Sequence, residues 1–127
     1  MRTVNEVLMS VADVLFPGEE GRPVSLTSRS SEGDTALHVM GWRRDTEGAR
    51  ILIAAGADVD AVGDMDQTPL HVAIMQDDIA MARLLLDAGA RTDIRSEFGK
   101  TAIEEARAKG GEIEKLLERA RTTHAKK

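Results

Sequence analysis

Thr35-Ala36-Leu37-His38 returns as Thr68-Pro69-Leu70-His71, and Thr101-Ala102-Ile103-Glu104 follows, each step being 33 residues. Gly56 and Gly89, inside AAGAD and DAGAR, keep the same spacing. Aligned without gaps, residues 35–67 and 68–100 agree at 12 of 33 positions, where roughly two would agree by chance at average residue usage. A fixed period of this length constrains the fold more than any composition does. It belongs to chains in which one supersecondary unit is stacked on copies of itself, because a single unit cannot bury its own apolar face.

The spacing inside each unit predicts two helices. Leu37/Met40, Leu70/Ala73 and Ile103/Ala106 are i, i+3 pairs on a first helix. Ile51, Leu52 and Ala55, then Met81, Leu84, Leu85 and Ala88, then Ile113, Leu116, Leu117 and Ala120 form the apolar stripe of a second. The third unit keeps register only if one residue is missing near Gly110–Gly111, where its turn should lie. Gly56 and Gly89 fit left-handed C-caps. Unit one has Met40 and Gly48 where unit two has Ala73 and Met81. A large and a small residue have exchanged places, so Met40 is expected to fill the space above Gly48 and conserve core volume.

Through TPLHVA at 68–73, LLLDAGA at 84–90 and the period, the chain resembles the ankyrin repeat family over residues 35–120. The resemblance implies an all-α solenoid: antiparallel helix pairs in an L-shaped stack, with hairpin-like loops projecting sideways. The expected organisation is an N-terminal capping helix in 1–17, a long first loop 18–34, repeats at 35–67 and 68–100, a degenerate capping repeat at 101–121 and a polar tail 122–127. Val4, Val7, Leu8, Val11, Val14 and Leu15 would form one face of the capping helix, which Pro17–Gly18 would stop.

Composition narrows the function. The 127 residues contain no cysteine, which removes disulfides, thiolate metal sites and cysteine nucleophiles. Glu6 and Asp13 interrupt the apolar start, arguing against a secretory signal or a membrane span. The expected location is therefore the cytoplasm. A net charge of −5 makes nucleic acid an unfavoured partner and a basic protein a favoured one. His38 and His71 sit one repeat apart with only His124 as a third histidine. The resemblance gives the motif histidine a structural role, bonding the turn backbone, and a zinc site would need three or four converging ligands. The acidic run 58–66 fails as a calcium loop because Val62 and Pro69 hold its fifth and twelfth places. Asp66 stands where Gly33 and Gly99 do, and aspartate tolerates positive φ. SLTSRSS, 25–31, reads as a polar loop, with phosphorylation as the other reading. No phosphate cradle, nucleophile elbow or metalloprotease motif is present. Neither enzyme activity nor any cofactor or metal is expected.

The chain's only tryptophan, Trp42, is the eighth residue of unit one, aligned with Met75 and Ala108. Family geometry puts this position on the concave face, and puts Glu32, Met65 and Phe98 at loop tips. Exposed apolar clusters mark interaction sites, and Trp and Arg dominate hot spots. The expected partner-binding set is therefore Trp42, Met65, Met75 and Phe98, with Arg29, Glu32, Arg43, Arg44, Asp64, Gln76, Arg95, Glu97 and Lys100 around them. Alternatively, Trp42 staples the 18–34 loop. Short free-standing proteins of this family resemble immunity proteins, so a monomer that inhibits a basic toxin domain is one expectation. An adaptor or assembly factor is the other.

Overall fold

The computed structural model describes residues 2–125, with side chains through Arg121. Eight α-helices occur among them: α1 (Val4–Met9), α2 (Ala12–Leu15), α3 (Ala36–Trp42), α4 (Thr46–Ala54), α5 (Pro69–Met75), α6 (Ile79–Asp87), α7 (Ala102–Lys109) and α8 (Gly111–Ala125). Each of α3/α4, α5/α6 and α7/α8 packs as a pair. The pairs stack, α3 on α5 on α7 and α4 on α6 on α8, while α1 packs against α4.

Local chemistry sets the boundaries. Thr35, Thr68 and Thr101 are extended N-caps for α3, α5 and α7. Asp45 and Asp78 cap α4 and α6, accepting from the backbone N–H of Gly48 at 2.9 Å and of Met81 at 3.2 Å. Beyond α4 and α6, Gly56 and Gly89 take φ of 106° and 94°, as expected for left-handed C-caps. One residue, Gly110, separates α7 from α8, whereas Gln76, Asp77 and Asp78 separate α5 from α6. The shorter turn accounts for the shift in the third unit's register.

The interior is aliphatic. Leu37, Met40, Leu52, Leu70, Ile74, Met81, Leu85, Ile113 and Leu117 are fully buried. Met40 does fill the space above Gly48: a Cβ built on Gly48 would collide with the Met40 sulfur.

Three expectations are corrected. The segment 4–15 is two helices, not one. Ser10 Oγ donates to the Val7 carbonyl at 2.6 Å, and Val11 leaves helical geometry at φ −109°, ψ 3°. A hydroxyl that bonds back into the preceding turn competes with the helix. Val14, expected on the buried face, is 46% exposed. On the outer helices, Ala55 and Ala88 are exposed because the chain is already turning into its glycine cap there. Finally, α8 runs on to Ala125 instead of giving way to a tail at 122; Lys126 and Lys127 lie outside the described residues.

Candidate partner-binding surface

The loop tips repeat as faithfully as the helices. Ser30, Gly63 and Ser96 each donate their N–H to the carbonyl four residues on, at Asp34, Gln67 and Lys100 (2.8, 2.9 and 3.0 Å). A tight turn closes each tip, from Gly33, Asp66 and Gly99 back to the same three residues. The turn needs positive φ at its last residue. Gly33 and Gly99 supply 99° and 79°, and Asp66 accepts 55°. Met65 is also left-handed, at 57°.

Histidine ties the second and third tips to the inner helix of the repeat before. The Thr35 N–H donates to Nδ1 of His38 at 3.1 Å, so that nitrogen is unprotonated, and Nε2–H donates to the Gln67 carbonyl at 2.9 Å. His71 repeats this with the Thr68 N–H at 3.1 Å and the Lys100 carbonyl at 3.3 Å. Burial holds the His38 pKa below the ordinary imidazole range, against an opposing pull from the Gln67 carbonyl. In the third unit Glu104 accepts from the Thr101 N–H at 2.9 Å, which lowers its pKa. A carboxylate reproduces the capping end of the histidine but has no proton to offer a further loop. Both histidine rings are thus engaged in turn chemistry, and no group of three or more His, Asp or Glu side chains placed to hold a metal ion occurs among the described residues.

Besides Met9, Val14 and Val62, the large apolar side chains exposed among the described residues form two pairs across neighbouring repeats. Trp42 and Met75, 47% and 40% exposed, end α3 and α5; Met65 and Phe98, 47% and 62% exposed, sit at adjacent tips. Backbone links hold each pair together. Gln76 Nε2 donates to the Trp42 carbonyl at 3.3 Å, and Arg44 Nη2 to the Gln76 carbonyl. At the tips, the Glu97 N–H donates to the Met65 carbonyl at 2.9 Å. The inner helix between the pairs, Pro69–Met75, is buried up to its last residue. Gln67 Nε2 spans toward Met75, 3.9 Å from its sulfur.

The match to the family model for ankyrin repeats (3 copies) spans residues 7–96 and 45–122, nearly the whole chain. The chain belongs to the ankyrin repeat family. Ankyrin repeats are in general non-enzymatic protein–protein interaction modules. No curated protein matches the chain. No helix among the described residues is long and apolar enough to cross a membrane.

On this ankyrin stack the arginines are exposed as expected, yet each donates to its own chain. Arg29 reaches the Gly33 and Val62 carbonyls, both at 2.7 Å, and Arg95 reaches the Gly99 carbonyl at 2.7 Å and Glu104 at 3.2 Å. Arg43 donates to the Ser10 carbonyl at 3.2 Å. Arg44, itself at φ 57°, fastens unit one to unit two through Gln76. These four guanidiniums brace turns. Asp64 is half-buried, its N–H donated to Asp34 Oδ1 at 2.9 Å, so it too is a stitch between tips. Glu32 takes a hydrogen bond from the Ser31 hydroxyl, while Asp66, Asp77 and Glu97 are exposed carboxylates with no cationic partner among the described residues. Lys100 is an exposed cation at the third tip. Sequence reading left Asp66 and Asp77 out of this surface; both are exposed, next to Met65 and two residues past Met75, and both take a positive φ of 55°. As for the 18–34 loop, Val24 and Leu26 pack against the core, and Arg22 stacks on Phe16. The Trp42 indole N–H has no partner among the described residues.

Proposed function

We propose that this protein binds another protein through the Trp42/Met75 and Met65/Phe98 pairs, as a non-enzymatic, cytoplasmic, stoichiometric inhibitor that is monomeric when free. The observation carrying this reading is the two pairs themselves: four large apolar side chains left open on a stack whose interior is otherwise closed by aliphatic groups. Apolar anchors ringed by polar groups are what hot-spot interfaces are made of. The partner is basic. The chain's net charge is −5, and the unpaired groups around the anchors are chiefly Asp66, Asp77 and Glu97. Opposite charge speeds encounter and rejects wrong partners. A basic toxin domain, neutralised by covering its working surface, fits this chemistry and requires no catalysis.

The test is affinity capture from native lysate with wild type, Trp42→Ala and Phe98→Ala, followed by binding measurements on the captured partner. Each variant should lose about 2 kcal/mol or more of binding if it removes a hot spot, with an unchanged melting temperature. A lowered melting temperature with undiminished binding would instead make Trp42 a structural staple. An adaptor role, the second reading, needs a separate surface elsewhere on the molecule.

A further inference from the structure

A trough runs along the N-terminal helices, and neither apolar pair contributes to it. One wall is a stripe at helical spacing: Asn5, Leu8, Met9, Ala12, Asp13 and Phe16. The break between α1 and α2 does not interrupt it. The other wall is the loop from Gly18 to Val24. Two hollows lie end to end and share Met9, Ala12 and Gly21. The first, about 360 Å³, is bounded by Leu8, Pro23 and Val24. The second, about 240 Å³, is bounded by Phe16, Gly18, Asp13 and Glu20.

The loop wall is braced from within. Arg22 lies 3.8 Å over the Phe16 ring and donates to both carboxylate oxygens of Glu19, at 2.9 and 3.0 Å. That pair satisfies itself. Asp13 and Glu20 have no cationic partner among the described residues, and both face the second hollow. Met9, on the ridge between the hollows, is 75% exposed, more than any other large hydrophobic residue described. Such a residue contributes nothing to the core, and beside an open apolar trough it marks an interaction site.

We infer that this trough is a second docking surface, taking a short segment of a partner protein with two apolar side chains straddling Met9 and a lysine or arginine beside the second. Charge complementarity chooses this occupant. The uncompensated charge is two carboxylates, both at one end, so a cation is drawn to that end and an acidic segment is repelled. The asymmetry also sets the direction in which the segment lies. A molecule with docking surfaces both here and at the apolar pairs can hold two partners at once.

The experiment is selection of a phage-displayed random-peptide library on the full chain, with binding of the enriched synthetic peptides measured to four proteins. These are wild type, Met9→Ser, Asp13→Lys/Glu20→Lys and Trp42→Ala. All the substituted side chains in the trough are exposed, and thermal melts verify that each variant folds. Expected are peptides pairing two apolar residues with a Lys or Arg, binding at least tenfold more weakly to Met9→Ser and to the double charge variant, and unchanged on Trp42→Ala. Enriched peptides that lack a cation, that bind the trough variants as well as wild type, or that depend only on Trp42 would each overturn the proposal. So would a selection that enriches nothing.

Discussion

Repeats one and two share their fold, their caps and their histidines, yet they solve two packing problems in opposite ways. In the first repeat the inner helix supplies bulk, Met40, and the outer helix withdraws to Gly48; in the second, Ala73 withdraws and Met81 fills. The N-cap aspartates diverge too. Asp45 receives two hydrogen bonds from the Arg2 guanidinium, at 2.8 and 2.7 Å, and these hold its pKa below the usual carboxylate range. Asp78, in the same register, is buried, and its Oδ2 has no partner among the described residues. What is common to both repeats serves the backbone; what differs is the way each space is filled.

The comparison can be strained at the position where the repeats agree most closely. Leu52 and Leu85 hold one register and are both fully buried. Leu85→Ala should cost about 2–5 kcal/mol, as should Leu52→Ala, because each deletion leaves a cavity between stacked pairs. Urea denaturation measures this, and a large disparity would mean that the repeats unfold separately. The volume exchange comes next. Gly48→Ala should cost about 1–3 kcal/mol by overpacking against Met40. The double change Met40→Ala/Gly48→Met, which imports the second repeat's solution, should be closer to wild type than either single change. If the double variant is no better than the singles, the exchange is coincidental.

Smaller effects separate the two aspartates. Asp78→Asn keeps a capping oxygen and removes a buried, half-satisfied carboxylate, so it should be neutral or mildly stabilising. Asp45→Asn breaks the charge-assisted pair with Arg2. The two should differ by about 1 kcal/mol in the corresponding melts. The pH dependence follows from the direction of each shift. His38 is held neutral in the fold, with its pKa below the unfolded value near 6.5. Its contribution is therefore complete above that pH and declines as pH falls toward the folded pKa, where the unfolded chain binds the extra proton. For Asp45 the contribution is present above the unfolded value of about 3.9 and is lost as pH falls through the lowered folded pKa. Stability of His38→Gln measured between pH 7 and 5 should show a flatter slope than wild type; an unchanged slope would assign the dependence elsewhere.

Much of the fold was legible in the residues. The i, i+3 pairs Leu37/Met40, Leu70/Ala73 and Ile103/Ala106 announced the inner helices, Gly56 and Gly89 their outer partners' ends, and Asp66 its positive φ. The candidate surface was legible only in part. Trp42, Met65, Met75 and Phe98 are indeed left open, because a repeat's register says which positions the neighbour covers. The arginines beside them are exposed as expected, but the sequence did not show that each is also tied to its own chain. Arg43 and Arg44 bond to carbonyls 33 and 32 residues away, and nothing local to RRD at 43–45 encodes that. The break at Ser10 was hidden as well, since the apolar stripe of 4–15 continues through it undisturbed.

From its sequence alone this chain determined a period, the caps that punctuate it and the aliphatic groups that close its interior, because each depends on neighbours within one turn or one copy of the repeat. Only the tertiary structure decided where the guanidiniums go, which carboxylates stay unpaired and how the N-terminal helices and the 18–24 loop enclose a trough. Those outcomes depend on the rotation of one repeat against the next and on a non-repeating segment folding back, and neither leaves a periodic trace in the chain.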